Sequence, residues 1–340
     1  MTQFAYDVVI PTHGRTLGLL HETVESVFRQ TIPPQGVIIV VDGNTAAVDS
    51  IQVRWPDAVV LDHPGPSGEA AARQAGIAAT SAEWVCFIDD DDLWPSYKSE
   101  VTAAYLSGHP DCDAVRATYM IFAAEHYANE MLNGQYIDIR GNALDELEVQ
   151  ARGLSPRNDF AYLDIRGQSL ARLMDRNRSV IGTTCVRRHV LSRLPAVPPG
   201  TRPGADYVLA CLVATQTEWH LIDQPLMFYR LHAAQDSRTP DPRGVLGILA
   251  ARATAWRLCG PFVQRRLSDY GPAYRREFRS LIWPLVRDRH VREAISAVRH
   301  SFELLPRWRD RALLMIPEPI VWRWRYGRHR GRLTHSGITP

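Results

Sequence analysis

The chain has 340 residues, 45% hydrophobic and 22% charged, the balance of a globular protein with material for a sizeable core. No apolar run reaches the roughly 18 residues that a membrane-spanning helix needs, and five scattered cysteines without a Cys-x-x-Cys pair exclude a zinc ribbon or a dense disulfide framework. The formal net charge of +2 hides an asymmetry: residues 240–340 hold 20 Arg against 8 acidic residues, a net of +12, leaving −10 on the rest.

In chain order, Asp7-Val8-Val9-Ile10 reads as a short apolar strand stopped by Pro11. Leu17, Leu20, Val24, Val27 and Phe28 recur at helical spacing. Val37-Ile38-Ile39-Val40-Val41 is too continuously apolar for a one-sided sheet and predicts a buried parallel strand, ended by the turn Asp42-Gly43-Asn44. A third strand over residues 58–61 leads through His63-Pro64-Gly65-Pro66-Ser67-Gly68 into an Ala-rich helix at 69–80. A fourth strand, residues 84–88, runs into Asp89-Asp90-Asp91-Asp92. The alternation predicts an α/β fold with a largely parallel sheet. Pro11, Asp42, Gly68 and Asp89 then all lie at carboxyl ends of strands, where open α/β sheets place their ligands.

Beyond residue 95, strands are predicted at 114–122 and 224–232, helices at 166–174 and 206–215, and strand or loop at 179–186. Residues 134–163 read as a polar excursion with several turns, and 239–244 as a linker. Arg-rich helical sequence follows, with Trp256, Trp283, Trp308, Trp322 and Trp324, and residues 328–340 are expected to be disordered. The cysteine usage, together with an N-terminus lacking the basic and apolar regions of a signal peptide, leads us to expect a cytoplasmic protein with reduced thiols.

Four adjacent carboxylates repel one another, and each disfavours ionisation of the next. A solvated acidic turn would accommodate them; at the end of a buried-type strand, a divalent cation with oxygen-ligand preference, Mn2+ or Mg2+, is the favoured reading.

Four blocks carry a resemblance: Val8-Val9-Ile10-Pro11-Thr12-His13-Gly14-Arg15, Val40-Val41-Asp42-Gly43-Asn44, Ala71-Ala72-Arg73-Gln74-Ala75-Gly76 and Phe87-Ile88-Asp89-Asp90-Asp91-Asp92-Leu93-Trp94. In this order and spacing the chain resembles family 2 glycosyltransferases, to about residue 238. The resemblance implies a GT-A fold, a Rossmann-like nucleotide-binding domain with a mixed, mostly parallel sheet flanked by helices. It divides the chain into a catalytic domain over 1–238 (nucleotide-binding half 1–95, acceptor half 96–238) and an Arg/Trp-rich helical region over 239–340. It further implies inverting transfer of a sugar from a nucleotide donor, UDP or dTDP favoured, to a carbohydrate, glycolipid or small-molecule acceptor.

Carried over by similarity, Pro11, Thr12, His13, Arg15 and Asp42 hold the base, and Arg73 approaches the base or diphosphate. Asp89 and Asp90 face ribose and donor sugar, Asp91 and His232 ligate the metal, and Asp92 bonds backbone amides at the following turn. Ser237 and Arg238 could close over the phosphates. Asp206 matches the general base at the start of a helix; its structural alternative is a helix N-cap. Ile181-Gly182-Thr183-Thr184 resembles the segment near donor sugar and acceptor. Ala205 stands where the family usually has Glu, and Pro66 and Gln74 where it has Asn. These departures keep an alternative in view, a non-catalytic sugar-nucleotide-binding or scaffolding subunit recruited by its basic tail. The tail itself admits three readings: a helical extension packed on the domain, a peripheral anchor at the inner face of the membrane, or, least favoured, a nucleic-acid binder.

Overall fold

The computed structural model describes residues 4–122, 130–132, 135–137, 143–144, 155–156, 164–177, 180–198, 201, 203–230 and 242–316. His232, Ser237, Arg238, most of the excursion at 134–163 and the tail beyond 316 lie outside them.

The strands are β1 (Tyr6–Thr12), β2 (Gly36–Asp42), β3 (Val59–His63), β4 (Trp84–Phe87), β5 (Ala114–Phe122), β6 (Glu130–Leu132), β7 (Gln135–Ile137), β8 (Ala143–Leu144), β9 (Ser155–Pro156), β10 (Cys185–Arg187) and β11 (Trp219–Arg230). The main sheet runs in the order β11-β5-β10-β4-β1-β2-β3, with β9 added on β5, while β6, β7 and β8 form a small separate sheet. Every pairing among β1, β2, β3 and β4 is parallel, as is β11 on β5. The three-residue β10 is inserted antiparallel between β4 and β5.

Between the strands lie helices α1 (Leu17–Phe28), α2 (Thr45–Arg54), α3 (Glu69–Ala79), α4 (Lys98–Gly108), α5 (Ser169–Asp175), α6 (Arg188–Leu191) and α7 (Ala205–Val213). Four more follow: α8 (Pro242–Cys259), α9 (Gly271–Arg287), α10 (Val291–Leu304) and α11 (Trp308–Leu314).

The period-2 alternation of each strand divides its side chains between two cores. Val8, Ile10, Val37, Ile39, Val41 and Cys86 pack with α1 and α2 residues such as Leu20, Val24 and Ile51. Val9, Val85, Phe87 and Trp219 pack on the other face with α7, where Ile38 and Val40 meet Ala72 of α3. A strand buried on both sides must be apolar throughout, which is why residues 37–41 show no alternation. Helix α3 lies close on the sheet because of Gly76: a Cβ there would stand 2.4 Å from Val9 Cγ1.

Two expectations need correction. Strand β1 does not stop at Pro11 but continues to Thr12, with Pro11 in register with Val40. The Val9 carbonyl accepts from the Ile88 N–H on the β4 side, and alternation turns Pro11 toward that side beyond the last β4 pairing at Phe87. Its missing N–H therefore falls where no partner strand runs. The linker at 239–244 also gives way, since Pro242 is the first residue of α8, the position where a proline costs a helix nothing.

From there the C-terminal helices share one core with α7. Leu249, Tyr274, Phe278, Ala297 and Leu314 belong to the cluster that holds Tyr207, Val208 and Cys211. The Arg252 guanidinium lies 4.4 Å from the Tyr207 ring centre and pairs with Glu277 at 2.7 Å. Helix α7 is thus covered on all sides, and Asp206 is the residue of its first turn that is not fully buried.

Candidate active site

The carboxyl ends of β1, β2, β3 and β4 form one edge, and three interlocked turns surround it. After β1, Gly14 adopts φ 63° and the Asn44 amide donates to the carbonyls of His13 and Gly14 at 3.1 and 3.3 Å. After β2, Gly43 adopts φ 74°, and a Cβ there would stand 2.8 Å from the backbone of Gly65 and Pro66. The loop after β3 folds over Asp42: the Ser67 and Gly68 amides donate to its two carboxylate oxygens at 2.9 and 2.8 Å. His13 Nδ1 and His63 Nδ1 stand 3.8 and 3.4 Å from the same carboxylate. Burial alone would raise the Asp42 carboxyl; the two amides and two imidazoles outweigh it and hold the group below its ordinary value. Asp42 therefore positions the 65–68 turn, with both oxygens already engaged. His13 and His63 remain about a quarter exposed at its side. Arg15 lies exposed just beyond, and Pro11 is buried within β1.

The four aspartates separate into four environments. Asp89 accepts from Arg73 Nη2 at 2.6 Å and keeps a third of its side chain exposed. Asp90 accepts from the Thr12 hydroxyl at 2.5 Å, and that hydroxyl accepts from Gly14 N–H at 2.9 Å. Burial, opposed by Thr12 and reinforced by Asp91 and Asp89, pushes the Asp90 carboxyl up to about 7. Asp91 is half-buried, and its carbonyl accepts from Arg230 Nε at 2.8 Å.

Asp92 is fully buried and bonds a backbone amide, as the resemblance implies, but not one of the following turn. Its Oδ1 accepts from Arg230 N–H at 2.9 Å, because Leu93 pairs with Phe228 in both directions and draws the end of β11 alongside. Burial, then Asp91 and Asp89, hold the Asp92 carboxyl well above the carboxylate range. Arg230, itself buried, also pairs with Glu22 at 2.5 Å. The chain leaves β11 at this point, two residues before His232.

Arg73, expected to meet the base or diphosphate, is held here by acidic side chains. Its Nη2 binds Glu69, one helical turn earlier, and Asp89, while Nε and Nη1 are buried with no hydrogen-bond partner. Burial would lower its proton affinity; Glu69, Asp89 and Asp206 outweigh that and raise it. Glu69 was not signalled by the motifs, although its i,i+4 spacing to Arg73 was visible. Burial, opposed by Arg73 and reinforced by Asp89 and Asp206, pushes Glu69 up to about 7. Asp206 is raised as well, by burial first, against Arg73 and with Asp89. It is not the N-cap of α7, since that position is Gly204 at φ 114°; it sits two residues further in, where the helix dipole favours an acid.

Next to the aspartate run, Trp94 Nε1 donates to the Gly182 carbonyl at 2.8 Å, with Lys98 Nζ 4.7 Å from the Trp94 ring centre. These contacts fix the 181–184 segment beside the aspartates. A cavity of about 360 Å3 opens between α3, α6 and α7, lined by Arg73, Gln74, Ile77, Leu191, Val197 and Ala205 among others. Arg73 and Ala205 thus border both the carboxylate cluster and this largely apolar space.

Residues 7–153 match the family model described as Glycosyl transferase family 2. An uncharacterized glycosyltransferase of Bacillus subtilis, YwdF, is 35% identical over 89 residues, covering 26% of this chain and 32% of its own. Another from Nostoc sp., alr2836, is 24% identical over 225 residues, 64% of this chain and 62% of its own. The chain therefore spans less than two thirds of either relative. Among solved structures, the S. aureus TarS fragment 1-349 superposes with a TM-score of 0.58 at 14% identity, covering 96% of this chain and 87% of that one. The same fragment in complex with UDP-GlcNAc gives 0.61 at 14% identity, with 96% and 88% covered. Residues 7–153 are thus similar to family 2 glycosyltransferases, and the fold is GT-A.

Proposed function

We propose that the protein transfers a sugar, with inversion, from a nucleoside diphosphate donor to an acceptor hydroxyl, Asp206 acting as general base. The observation that carries this reading is the meeting of Asp206 with Glu69, Arg73 and Asp89 at the strand ends. It gives a carboxylate of raised proton affinity beside the aspartate run. A base of raised pKa is better matched to abstracting a hydroxyl proton near neutral pH than an ordinary aspartate. The family match and the TarS fragment's complex with UDP-GlcNAc support a nucleotide-sugar donor; UDP is favoured, with dTDP chemically close.

Asp90 and Asp92 are raised by burial first and then by the crowding of Asp89 and Asp91, a repulsion that Mn2+ or Mg2+ would relieve. Among the described residues no three His, Cys, Asp or Glu side chains form a ready cage. That suits a hard cation held by one or two carboxylates and the donor phosphates. Asp91 would supply the carboxylate, with His232 as the second ligand. When bound, the ion neutralises charge on the departing diphosphate.

In the transfer itself, the acceptor oxygen forms a bond to the anomeric carbon on the face opposite the diphosphate. The bond from that carbon to the phosphate oxygen breaks, its electron pair leaving with the oxygen, and the hydroxyl proton passes to Asp206. The Thr12–Asp90 and Trp94–Gly182 contacts hold the two sides of the crevice for this displacement.

The test is a panel of nucleotide sugars with and without Mn2+, read by donor hydrolysis, by transfer and by thermal shift with the free nucleotides. Asp206→Asn should keep nucleotide binding and lose at least about a hundredfold in turnover, and Asp91→Asn should weaken Mn2+-dependent nucleotide binding. Full turnover by Asp206→Asn would remove it as the base. Nucleotide binding without hydrolysis or transfer across the panel would favour a non-catalytic sugar-nucleotide-binding subunit.

A further inference from the structure

The C-terminal helices carry an outward face that the transfer chemistry does not use. On α10, Val291, Ile295, Val298 and Phe302 recur at i, i+4, i+7 and i+11 and so form one stripe. Three of them are exposed, Val291 at 55%, Ile295 at 49% and Phe302 at 37%, while Val298 packs partly on the core and Ala294, Ala297 and Leu304 face it. Trp308, the first residue of α11, and Met315, its C-cap, are seven residues apart, hence on one side, and are 79% and 57% exposed. Exposed apolar side chains scattered singly need no explanation; a stripe along one helix, with two more such side chains on the next, does.

Arginines border the stripe. Arg292 and Arg299 stand on one flank of α10 and Arg307 and Arg309 on either side of Trp308, all exposed. Between residues 284 and 316 there are 7 Arg and 4 acidic residues, and the chain continues with Trp322-Arg323-Trp324-Arg325, Arg328, Arg330 and Arg332 against a single acid, Glu318.

We propose that this face docks on an anionic phospholipid surface, its apolar stripe entering the headgroup boundary and its arginines meeting lipid phosphates. Interfacial binding strength follows buried apolar area together with attraction to anionic lipid, and both ingredients lie here side by side. Two copies of the face brought together would instead confront arginine with arginine. None of the helices has to cross the bilayer, and among the described residues none is long and apolar enough to do so. Because α8 packs on α7 through Arg252 on Tyr207 and Ala251 against Gly204, docking would fix the Asp206 crevice relative to the bilayer.

The full chain is sedimented with vesicles of equimolar phosphatidylcholine and phosphatidylglycerol, and with phosphatidylcholine alone. It should bind the anionic vesicles, weakly the neutral ones, and release at high salt. The triple variant Ile295→Glu/Phe302→Glu/Trp308→Glu should lose at least about tenfold in partitioning, and Arg292→Glu/Arg299→Glu should lose several-fold, both with unchanged circular dichroism. No binding to anionic vesicles would overturn the proposal, as would a triple variant that binds like the parent chain, which would leave the charge of the tail as the whole effect. A dimer in light scattering that the triple variant dissociates would overturn it too, by assigning the face to a second copy.

Discussion

Replacing Arg73 with methionine keeps the aliphatic stem and deletes the charge on which three acids converge. The wild-type side chain is 3% exposed and works through one nitrogen, Nη2, toward Glu69 and Asp89. Deleting one partner of a buried ion pair costs about 3–5 kcal/mol. Glu69 and Asp89 keep 28% and 34% of their side chains exposed, and that residual hydration brings the expected loss to about 2–3 kcal/mol near pH 8. The loss must shrink in acid. Glu69 titrates at about 7 in the native protein against an ordinary 4.5, and Asp206 is raised as well. Without Arg73 Glu69 rises further, so near pH 5 it holds its proton and the penalty falls to about 1 kcal/mol.

The sign follows from proton counts. A carboxyl whose native pKa lies above its unfolded value binds more protons in the native state, so stability declines as pH rises between the two values. Urea unfolding midpoints of wild type and Arg73→Met near pH 5 and near pH 8 read the difference directly. Adding Glu69→Gln to the variant should recover at least half of the loss at the higher pH. An equal loss at both pH values, or no recovery in the double variant, would mean that the arginine acts by filling space and that the charge argument is wrong.

Asp42→Asn should destabilise the protein by about 2–3 kcal/mol at neutral pH, because an amide nitrogen would face one of the two N–H groups that the carboxylate now accepts. Since Asp42 lies below its ordinary value of 3.8 in the native state, its stabilisation is present above that value and fades as pH falls through the native one. Thermal unfolding at several pH values should therefore show the gap closing in acid, and a constant gap would refute the ion–amide account. All five cysteines are buried, and burial raises Cys112 and Cys259 to about 12. A thiol reagent should accordingly label the native chain only slowly and all five sites after unfolding; rapid native labelling of Cys86 or Cys185 would show that the junction of β4 and β10 opens.

The parallel core was legible because a strand buried on both faces must be apolar throughout, and residues 37–41 and 84–88 are. The antiparallel insertion of β10 was not, since three residues carry no period and its place is set by pairing with β4 and β5 on either side. Prolines misled twice: Pro11 was read as a stop and Pro242 as part of a linker, whereas both occupy positions whose N–H has no partner in any case. At the site, the motif positions were readable and their partners were not. That Asp42 would spend both oxygens on Ser67 and Gly68 depends on a loop closing from 25 residues away. Glu69 was missed although its spacing to Arg73 was in plain view, because an i,i+4 acid–arginine pair on a helix is ordinarily a solvated one. Only the convergence of Asp89 and Asp206 on the same guanidinium gives it another meaning.

That convergence also bears on how the base is to be identified. Glu69 and Asp206 both sense Arg73, and Asp206 raises the proton affinity of Glu69, so their protons leave as those of a pair. A pH dependence of transfer belongs to the pair and cannot by itself assign the base to Asp206. The assignment has to come from position: Asp206 opens α7 beside the cavity bordered by Ala205 and Arg73, whereas Glu69 reaches the site from the first turn of α3 behind the 65–68 loop. In the proposed reaction Asp206 would receive the proton, and Glu69, acting through Arg73, would set how tightly it is held.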